Sequence, residues 1–539
     1  MYTLNLARAW LEGGHDVVLV CQETSAARFP EVNDEVLLEM SAEDDGRQRP
    51  ASRRALVRPR EGKGRCTLVR PDIDGLLPVY VLDRYEGFRV ERLIDLSDTQ
   101  RKRFAECQAA AAEWVLDEWD IDGALVNHAI PLPSALEPVF ARRELPYAVK
   151  VHGSELEYAV REDPALVGPA QAGLAGAASV LVGSQHTADR TVELLGEACV
   201  TGRVHIAPPG VDVEHFAPLG AAGRAAAIGS LRRTVAAKLE AQPGGRGASA
   251  RQTLGALVAE AAFTDLPPLG ERVGDYQERH IDADAIAQLA AVDADEDRVV
   301  AFVGKLIPQK ALHLVLMAWP LVIQREPRAR LLIAGFGPAR EHCEAFVDAC
   351  TLGRRDLAIE IANHLSEAAL PESSGFAFSD LFTPADSPEL SDGYWEAARS
   401  LRERTTWLGL VDHDVLADAL PLCEVSIVPS LLSEAFGMVA AEAAACGAVP
   451  IVGDHSGLAD AATIIERGGV VPMRVPIRDR GAVSHLAARV IARLALSPEQ
   501  AAAQADLARR NVVGELSWTA VAKNAAQLMC GERSAALPG

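Results

Sequence analysis

The sequence predicts an α/β protein built from two doubly wound, Rossmann-like domains. Three observations predict it. Short apolar runs alternate with amphipathic helical stretches along the 539 residues, the pattern of parallel α/β architecture. Several of these runs end directly in Gly or Ser and then a helix, the place where open α/β sheets hold ligands. The length allows two large cores, and the composition, 49% hydrophobic and 24% charged, is ordinary for a soluble globular chain.

Taken in order, residues 4–11 read as a helix and GGHDVVLV (13–20) as a turn and a strand. Strand candidates in the first half are 17–21, 79–82, 124–126, 147–151, 180–182 and 204–207. In the second half they are 299–303, 331–334, 406–408, 425–428 and 449–452. HIAPPGVDVEHFAPL (205–219) closes the first half. Residues 220–295 are rich in Ala, Arg and Gly, show helical periodicity and contain the loose run QPGGRGASA. Residues 343–403, with SSGFAFSDLFTPADSPELSDGYW, also exceed the alternating pattern. Both stretches are expected to be insertions, either functional or simple helical elaborations of the surface.

Charge and cysteine usage exclude several classes. The net charge of −22 argues against broad nucleic-acid or anionic-membrane binding, which need a basic surface, and no peripheral membrane contact is evident. Nine scattered cysteines without a CxxC pair read as reduced thiols, not a zinc site or disulfide framework. No apolar run approaches the ~20 residues of a membrane span and no signal peptide opens the chain, so a cytoplasmic location is expected. The D-x-D triplets at 72–74 and 120–122 are chance pairs in a chain with 75 acidic residues, and no metal is assigned. Neither a Walker A loop nor a serine nucleophile elbow occurs.

The most informative stretch is PSLLSEAFGMVAAEAAACG (429–447). A buried-strand run ends in a loop carrying Glu434, followed by small residues and an apolar helix carrying Glu442. Eight helical residues rise at most ~12 Å. A glycosidase carboxylate pair is about 5–9.5 Å apart across one bond. An extended nucleotide-sugar suits this pair better, one acid on sugar hydroxyls and the other on ribose. The helix around Glu442 is small or apolar on all sides, so it is expected to be buried, and its acid needs a partner. FVGKLIPQK (302–310) is a strand, a tight turn at Gly304 and a helix start, with Lys305 and Lys310 at the two ends of the turn. Taken alone, two lysines beside a turn are surface charges. Breaking a sugar–diphosphate bond builds negative charge, however, and one cation at 4 Å offers about 4 kcal/mol at an effective dielectric near 20. Two cations and a helix N-terminus can replace a metal ion there.

These residues resemble the Glu-x7-Glu element and the G-R-L-x-x-x-K segment of retaining glycosyltransferases of family 4, the glycosyl transferases group 1, which have the GT-B fold. The resemblance implies two Rossmann-like domains facing across a cleft. It implies an acceptor-side domain over 1–219, a helical insertion or linker over 220–295 and a donor domain over 296–512, interrupted at about 343–403. Residues 513–539, with Trp518, would be a helix returning to the first domain. The family has a strand and a Gly-rich loop ahead of the helix at 4–11, and this chain has neither. The expectation is a start downstream of the true one by roughly 20–35 residues, or a degenerate homologue that lost its catalytic loop.

The resemblance also implies roles. Lys305 and Lys310 would grip the donor diphosphate, with Lys305 standing where Arg is frequent. Glu434 would hold the donor sugar hydroxyls, with backbone amides of Phe436, Gly437, Met438 and Val439 near sugar and phosphate, and Glu442 would accept from the ribose. The backbone of TTWLGLVDHDVL (405–416), near Leu408, Gly409 and Val411, would meet the nucleobase. In VKVHGSELEY (149–158), His152 would touch the donor sugar, and His128 with Asn127 in NHAIPLP would line the acceptor side. AGFGP (334–338) matches the family's GxGP turn, DHSGLAD (454–460) matches a turn of unclear role, and Ser184 would be structural. The expected reaction is metal-independent sugar transfer with retention, from a nucleotide-diphosphate sugar to a glycan, lipid or small-molecule acceptor. Two alternatives stay open: a non-catalytic nucleotide-sugar-binding homologue and a nucleotide-sugar 2-epimerase of the same fold. Starch and glycogen synthases of family 5 share the fold, but their N-terminal KTGGL lies where this chain has nothing.

Overall fold

Parallel strands with helices packed on them carry both halves of the chain. The computed structural model describes residues 2–530 apart from 43–47, 60–61, 83–84, 86, 221–222, 243, 261, 267–279, 370–377 and 384–390. Parts of the runs QPGGRGASA and SSGFAFSDLFTPADSPELSDGYW lie outside the described residues. Two compact units emerge. Met1–Gly210 with Leu516–Gly539 form one, and Val211–Glu515 form the other.

In the first unit, β1 (Val17–Val20), β2 (Asp34–Ala42), β3 (Gln48–Leu56) and β4 (Cys66–Pro71) make a sheet in the order β1-β4-β2-β3. β1, β4 and β2 run parallel, and β3 returns antiparallel to β2. A short parallel pair, β5 (Leu76–Val79) and β6 (Arg89–Arg92), follows. A second four-stranded sheet contains β7 (Ala124–Asn127), β8 (Tyr147–Val151), β9 (Ser179–Val182) and β10 (Val204–Ile206), all parallel, in the order β10-β9-β8-β7. β8 and β9 are buried along their whole length, as their unbroken apolar runs require. The helices Tyr2–Glu12 and Trp518–Met529 cover this sheet together. Leu6, Val521, Ala522 and Ala525 pack on Ala148 and Leu181, and the Trp10 indole donates to Ala522 O at 2.9 Å.

Four strands of this unit, β2, β3, β4 and β6, escape a search for apolar runs. β3 is exposed along most of its length and carries Arg49, Arg53 and Arg54, the charged dress of an edge strand, so its pattern reads as loop. β2 places Asp34, Glu35 and Glu39 among its apolar residues and β6 is mostly charged, whereas β4, CTLVRP, is a short buried run. The strand expected at 79–82 is displaced, because the ladder runs over Leu76–Val79. Tyr80 leaves the ladder to place its ring 4.8 Å from His128 and its hydroxyl on Ile130 O.

In the second unit, β11 (Arg298–Val303), β12 (Ala329–Ala334), β13 (Thr405–Gly409), β14 (Val425–Val428), β15 (Val449–Gly453) and β16 (Arg474–Val475) form one all-parallel sheet. The order is β13-β12-β11-β14-β15-β16, so the direction of winding reverses between β11 and β14. Helix Leu312–Arg325 is buried nearly all round, with Trp319 fully enclosed. The stretch 343–403 is partly core. In helix Asp392–Ala398, Tyr394 is 1% exposed, and its hydroxyl donates to Met317 O at 2.9 Å.

The helices Gly223–Ala241, Ala248–Glu260 and Ala285–Ala290 of the stretch 220–295 pack into this unit. The attachment is ionic as well as apolar. Asp282, fully buried, is gripped by Arg340 at 2.5 and 2.8 Å and by Arg251 at 3.0 Å, while Glu344 reaches Arg340 at 3.1 Å. Lys238 bonds Asp412 at 2.5 Å and Asp414 at 2.8 Å. Removing one partner of a buried pair strands the other charge, which costs about 3–5 kcal/mol. Arg340→Ala should therefore lower unfolding free energy by about 3 kcal/mol or more, read as a lower urea midpoint at unchanged slope.

Candidate functional site

The second unit gathers its sequence-predicted residues at the carboxyl ends of the strands. β11 and β14 are paired neighbours at the reversal of strand order, where open α/β sheets leave a ligand crevice. Gly304, Lys305 and Lys310 follow β11, and the loop with Glu434 follows β14. Lys310 forms an ion pair with Glu434 through its Nζ and Oε1, both side chains about a quarter exposed. Lys305 is exposed at the near end of the same turn.

The turn is held by close backbone contact that only glycine permits. Leu306 N donates to Phe336 O at 2.6 Å, and Ala339 N to Leu306 O at 2.8 Å. A Cβ on Gly335 would sit 1.9 Å from Gly304 O, and one on Gly337, at φ 147°, would sit 2.6 Å from Leu306 O. The GxGP turn thus packs the backbone that presents Lys305.

The Glu434 loop is anchored from the segment after β15. Ser456 Oγ accepts from Glu434 N at 3.0 Å, Gly457 N donates to Glu434 O at 2.9 Å, and the His455 ring reaches Ser430 O at 2.7 Å. This is the work of DHSGLAD, whose role the sequence left open. Phe436 is buried at 3% exposure, so its side chain is a core wedge. Gly437, at φ 116°, turns the chain into helix Met438–Ala445. Met438 and Val439 form the first turn of that helix, whose leading N–H groups have no acceptor within it. Both residues are half-buried.

Glu442, 8% exposed, finds its partner in His413, whose Nε2 is 3.7 Å from Oε1. The neighbouring Glu442 carboxylate raises the imidazole above its ordinary value, against the opposing effect of burial. The sequence reading passed over His413, although it stands two residues beyond Val411. The main chain of the 408–410 segment is already engaged: Asp282 N donates to Leu408 O at 2.9 Å, Gly335 N to Gly409 O at 2.8 Å, and Leu410 N to His280 O at 3.0 Å. These bonds stop one residue short of Val411.

The first unit gathers a separate cluster at the ends of β7 and β8. The His152 ring donates from Nε2 to Asn127 Oδ1 at 2.9 Å, and the His128 ring stands 4.7 Å away. Burial, with the His128 ring beside it, pushes His152 down to about 3, so it is a neutral imidazole. Glu155, which sequence reading quoted without a role, organises both histidines. It is fully buried and accepts from His128 Nδ1 at 3.2 Å, Ala129 N at 3.2 Å and His152 N at 3.0 Å. Burial alone would raise its pKa, but the hydrogen bond from His128 and the neighbouring imidazoles outweigh it and hold the carboxyl below its ordinary value. Ser184 is buried and caps helix Gln185–Leu195 by accepting from Thr187 N at 3.1 Å. Trp518 fills the space beside Gly210, where a Cβ would lie 2.5 Å from the indole.

Residues 394–474 match the family of glycosyl transferases group 1. That stretch holds the Glu434 and Glu442 segment together with His413. An uncharacterized glycosyltransferase of Methanocaldococcus jannaschii is 25% identical over 164 residues, 30% of this chain and 29% of the relative. The D-inositol 3-phosphate glycosyltransferase of Rhodococcus opacus is 31% identical over 192 residues, 35% of this chain and 33% of the relative. The chain thus spans about a third of the length of these curated relatives. In fold, the whole chain is similar to the catalytic domain of starch synthase IV from Arabidopsis thaliana, a structure with ADP and acarbose. The TM-score is 0.51 at 14% identity, over 99% of this chain and 95% of that one. The α/β fold with parallel sheets is that of the GT-B enzymes. Among the described residues no helix is long and apolar enough to cross a membrane.

The His413–Glu442 pair makes a pH-dependent contribution to stability. A raised imidazole pKa stabilises fully below the unfolded value near 6.5 and loses that gain as pH rises through the folded value. The difference in Tm between wild type and His413→Gln should therefore be larger at about pH 5.5 than at about pH 8.5.

Proposed function

We propose that the chain is a retaining, metal-independent glycosyltransferase that moves a sugar from a nucleotide-diphosphate sugar to a hydroxyl acceptor. The reading is carried by one observation, the Lys310–Glu434 ion pair beside the open first turn of helix Met438–Ala445 at the strand-order reversal. A carboxylate in reach of sugar hydroxyls, an ammonium group and free main-chain N–H groups then share one edge of one sheet. That set suits a sugar linked to a diphosphate.

In this reading Lys305 and Lys310 stabilise the charge that grows on the leaving phosphate, and the first turn of the helix adds its N–H groups. Glu434 orients the sugar and holds Lys310 in place until the donor arrives. Glu442, beside His413, accepts from the ribose, and the backbone near Val411 meets the base. Neutral His152 in the first unit offers the sugar a hydrogen-bonding imidazole without adding charge. The departing phosphate oxygen takes the acceptor proton, so no separate base is required on the donor side. The acceptor is bound by the first unit, and a cytoplasmic location follows from the same reading.

Glu434→Ala and Lys310→Ala should each lower turnover by at least ~100-fold, the scale for one well-placed electrostatic group. The assay is release of nucleoside diphosphate from UDP-, GDP- and ADP-sugars in the presence of an acceptor mixture. Wild-type rates in either variant would overturn the assignment of these side chains. EDTA should leave the rate within about twofold, whereas abolition restored by a divalent cation would replace this mechanism with a metal-assisted one. Nucleotide-sugar binding by calorimetry without turnover would favour the non-catalytic alternative.

A further inference from the structure

We infer that Arg478 is a positioning residue of the donor-side site, whose guanidinium holds the Glu434 loop in register with the Lys310 turn. What the site does is taken from the transferase reading, while the hold stands on geometry alone. Arg478 lies three residues beyond β16, distant in sequence from both residues it serves. Its Nε and Nη2 both donate to Leu431 O, at 3.0 and 2.6 Å, and Nη2 also lies 3.5 Å from Ser433 Oγ. Leu431 and Ser433 belong to the loop that carries Glu434. A guanidinium fork closed on one carbonyl fixes its direction as well as its distance, which a single ammonium group does not.

Both ends of this contact have rigid roots. Leu431 is 5% exposed and Ile477, the residue before Arg478, is 2% exposed, and both belong to the core of the second unit. Ile477 N also donates to Val475 O at 2.7 Å, which ties the segment back to β16.

Leu431 is also where the two loops of the site join. Leu431 N donates to Gln309 O at 2.7 Å, and Gln309 immediately precedes Lys310. The Gln309 side chain is held in turn by donating from Nε2 to Ala368 O at 3.2 Å. On the other side of the same peptide group, Ser430 O meets the His455 ring. The Ser430–Leu431 peptide is thus bonded at both ends, and Arg478 takes the next carbonyl. A shift of Leu431 O therefore moves Glu434, three residues on, relative to Lys310. Misplacing a group at a reacting centre by about 1 Å can cost roughly 100-fold in rate.

An arginine resting on a carbonyl is ordinarily packing. Arg478 differs in that burial lowers its pKa and no carboxylate acts to raise it. A cation partly withdrawn from water without a counter-charge is costly to keep, and its strongest contact is the loop carbonyl beside the Lys310–Glu434 pair.

The test uses the full chain and reads the loop and the reaction separately. In Arg478→Ala, amide hydrogen exchange over 429–437 should quicken by roughly tenfold or more, the scale of one hydrogen bond to a charged group. Exchange in helix Leu312–Arg325 should not change, and Tm should stay within about 2 °C. With a nucleotide-sugar that wild type turns over, kcat should fall by roughly tenfold or more while KM stays within about threefold. Millimolar guanidinium chloride, but not the same concentration of sodium chloride, should restore both slow exchange and turnover. Arg478→Lys, which keeps the charge and loses the fork, should also exchange faster than wild type over 429–437. Wild-type exchange there in both variants, faster exchange spread across the whole second unit, or a raised KM at wild-type kcat overturns the proposal. No turnover by wild type would sink the transferase reading, and the exchange and its rescue would still decide whether Arg478 holds the loop.

Discussion

The pairing of β11 with β14 is the constraint on which the candidate donor site depends. Two strands more than a hundred residues apart in sequence run side by side, and the order of the sheet reverses at their junction. Loops leaving adjacent parallel strands on opposite sides of such a junction splay apart, and a crevice opens between them. Lys310 and Glu434 meet there as an ion pair because each follows its strand by a few residues. The glycines of AGFGP bring β12's turn close enough to fix the Lys305 backbone, and DHSGLAD fixes the Glu434 backbone from the other side. A loop alone would leave these long charged side chains free to move. Each is tied instead to a neighbouring strand end.

The second unit also shows how the stretch 220–295 becomes part of a domain. Arg251 and Asp282 from the stretch 220–295 close a buried cluster with Arg340 and Glu344, which sit on a helix beside β12. Buried charges of this kind add little net stability compared with apolar packing, but they tolerate no alternative arrangement, because each mismatch strands a charge. The same segment places Asp282 N and His280 O on the backbone at 408–410, so it engages the strand end that the resemblance assigned to the nucleobase. Val411 and His413 lie just past these bonds, and Glu442 lies opposite His413.

The two units treat charge in opposite ways. The second sets Lys310 in an ion pair with Glu434 and His413 beside Glu442. The first keeps His152 neutral by burial and sets the fully buried carboxylate of Glu155 on the His128 ring and on the main-chain N–H of His152.

The α/β class, the parallel strands of the second unit and the placing of Lys305, Lys310 and Glu434 beside strand ends were legible from the chain because each signal is local. An apolar run, a glycine at a strand end and an acid in a helix of alanines all carry their meaning within a dozen residues. His413, Glu155 and the anchoring Ser456 were not legible, because what makes each of them matter is a neighbour distant in sequence: Glu442, His128 and the Glu434 amide. The exposed, arginine-bearing β3 and the displaced strand at 76–79 escaped for a related reason, since an edge strand need not be apolar and a tyrosine can leave a ladder for a better partner. Local sequence decides which segments can be buried and which residues stand at their ends. Folding decides which ends meet, because the sheet order, the reversal between β11 and β14 and the seating of the helices within 220–295 depend on contacts that no stretch of the chain makes with itself.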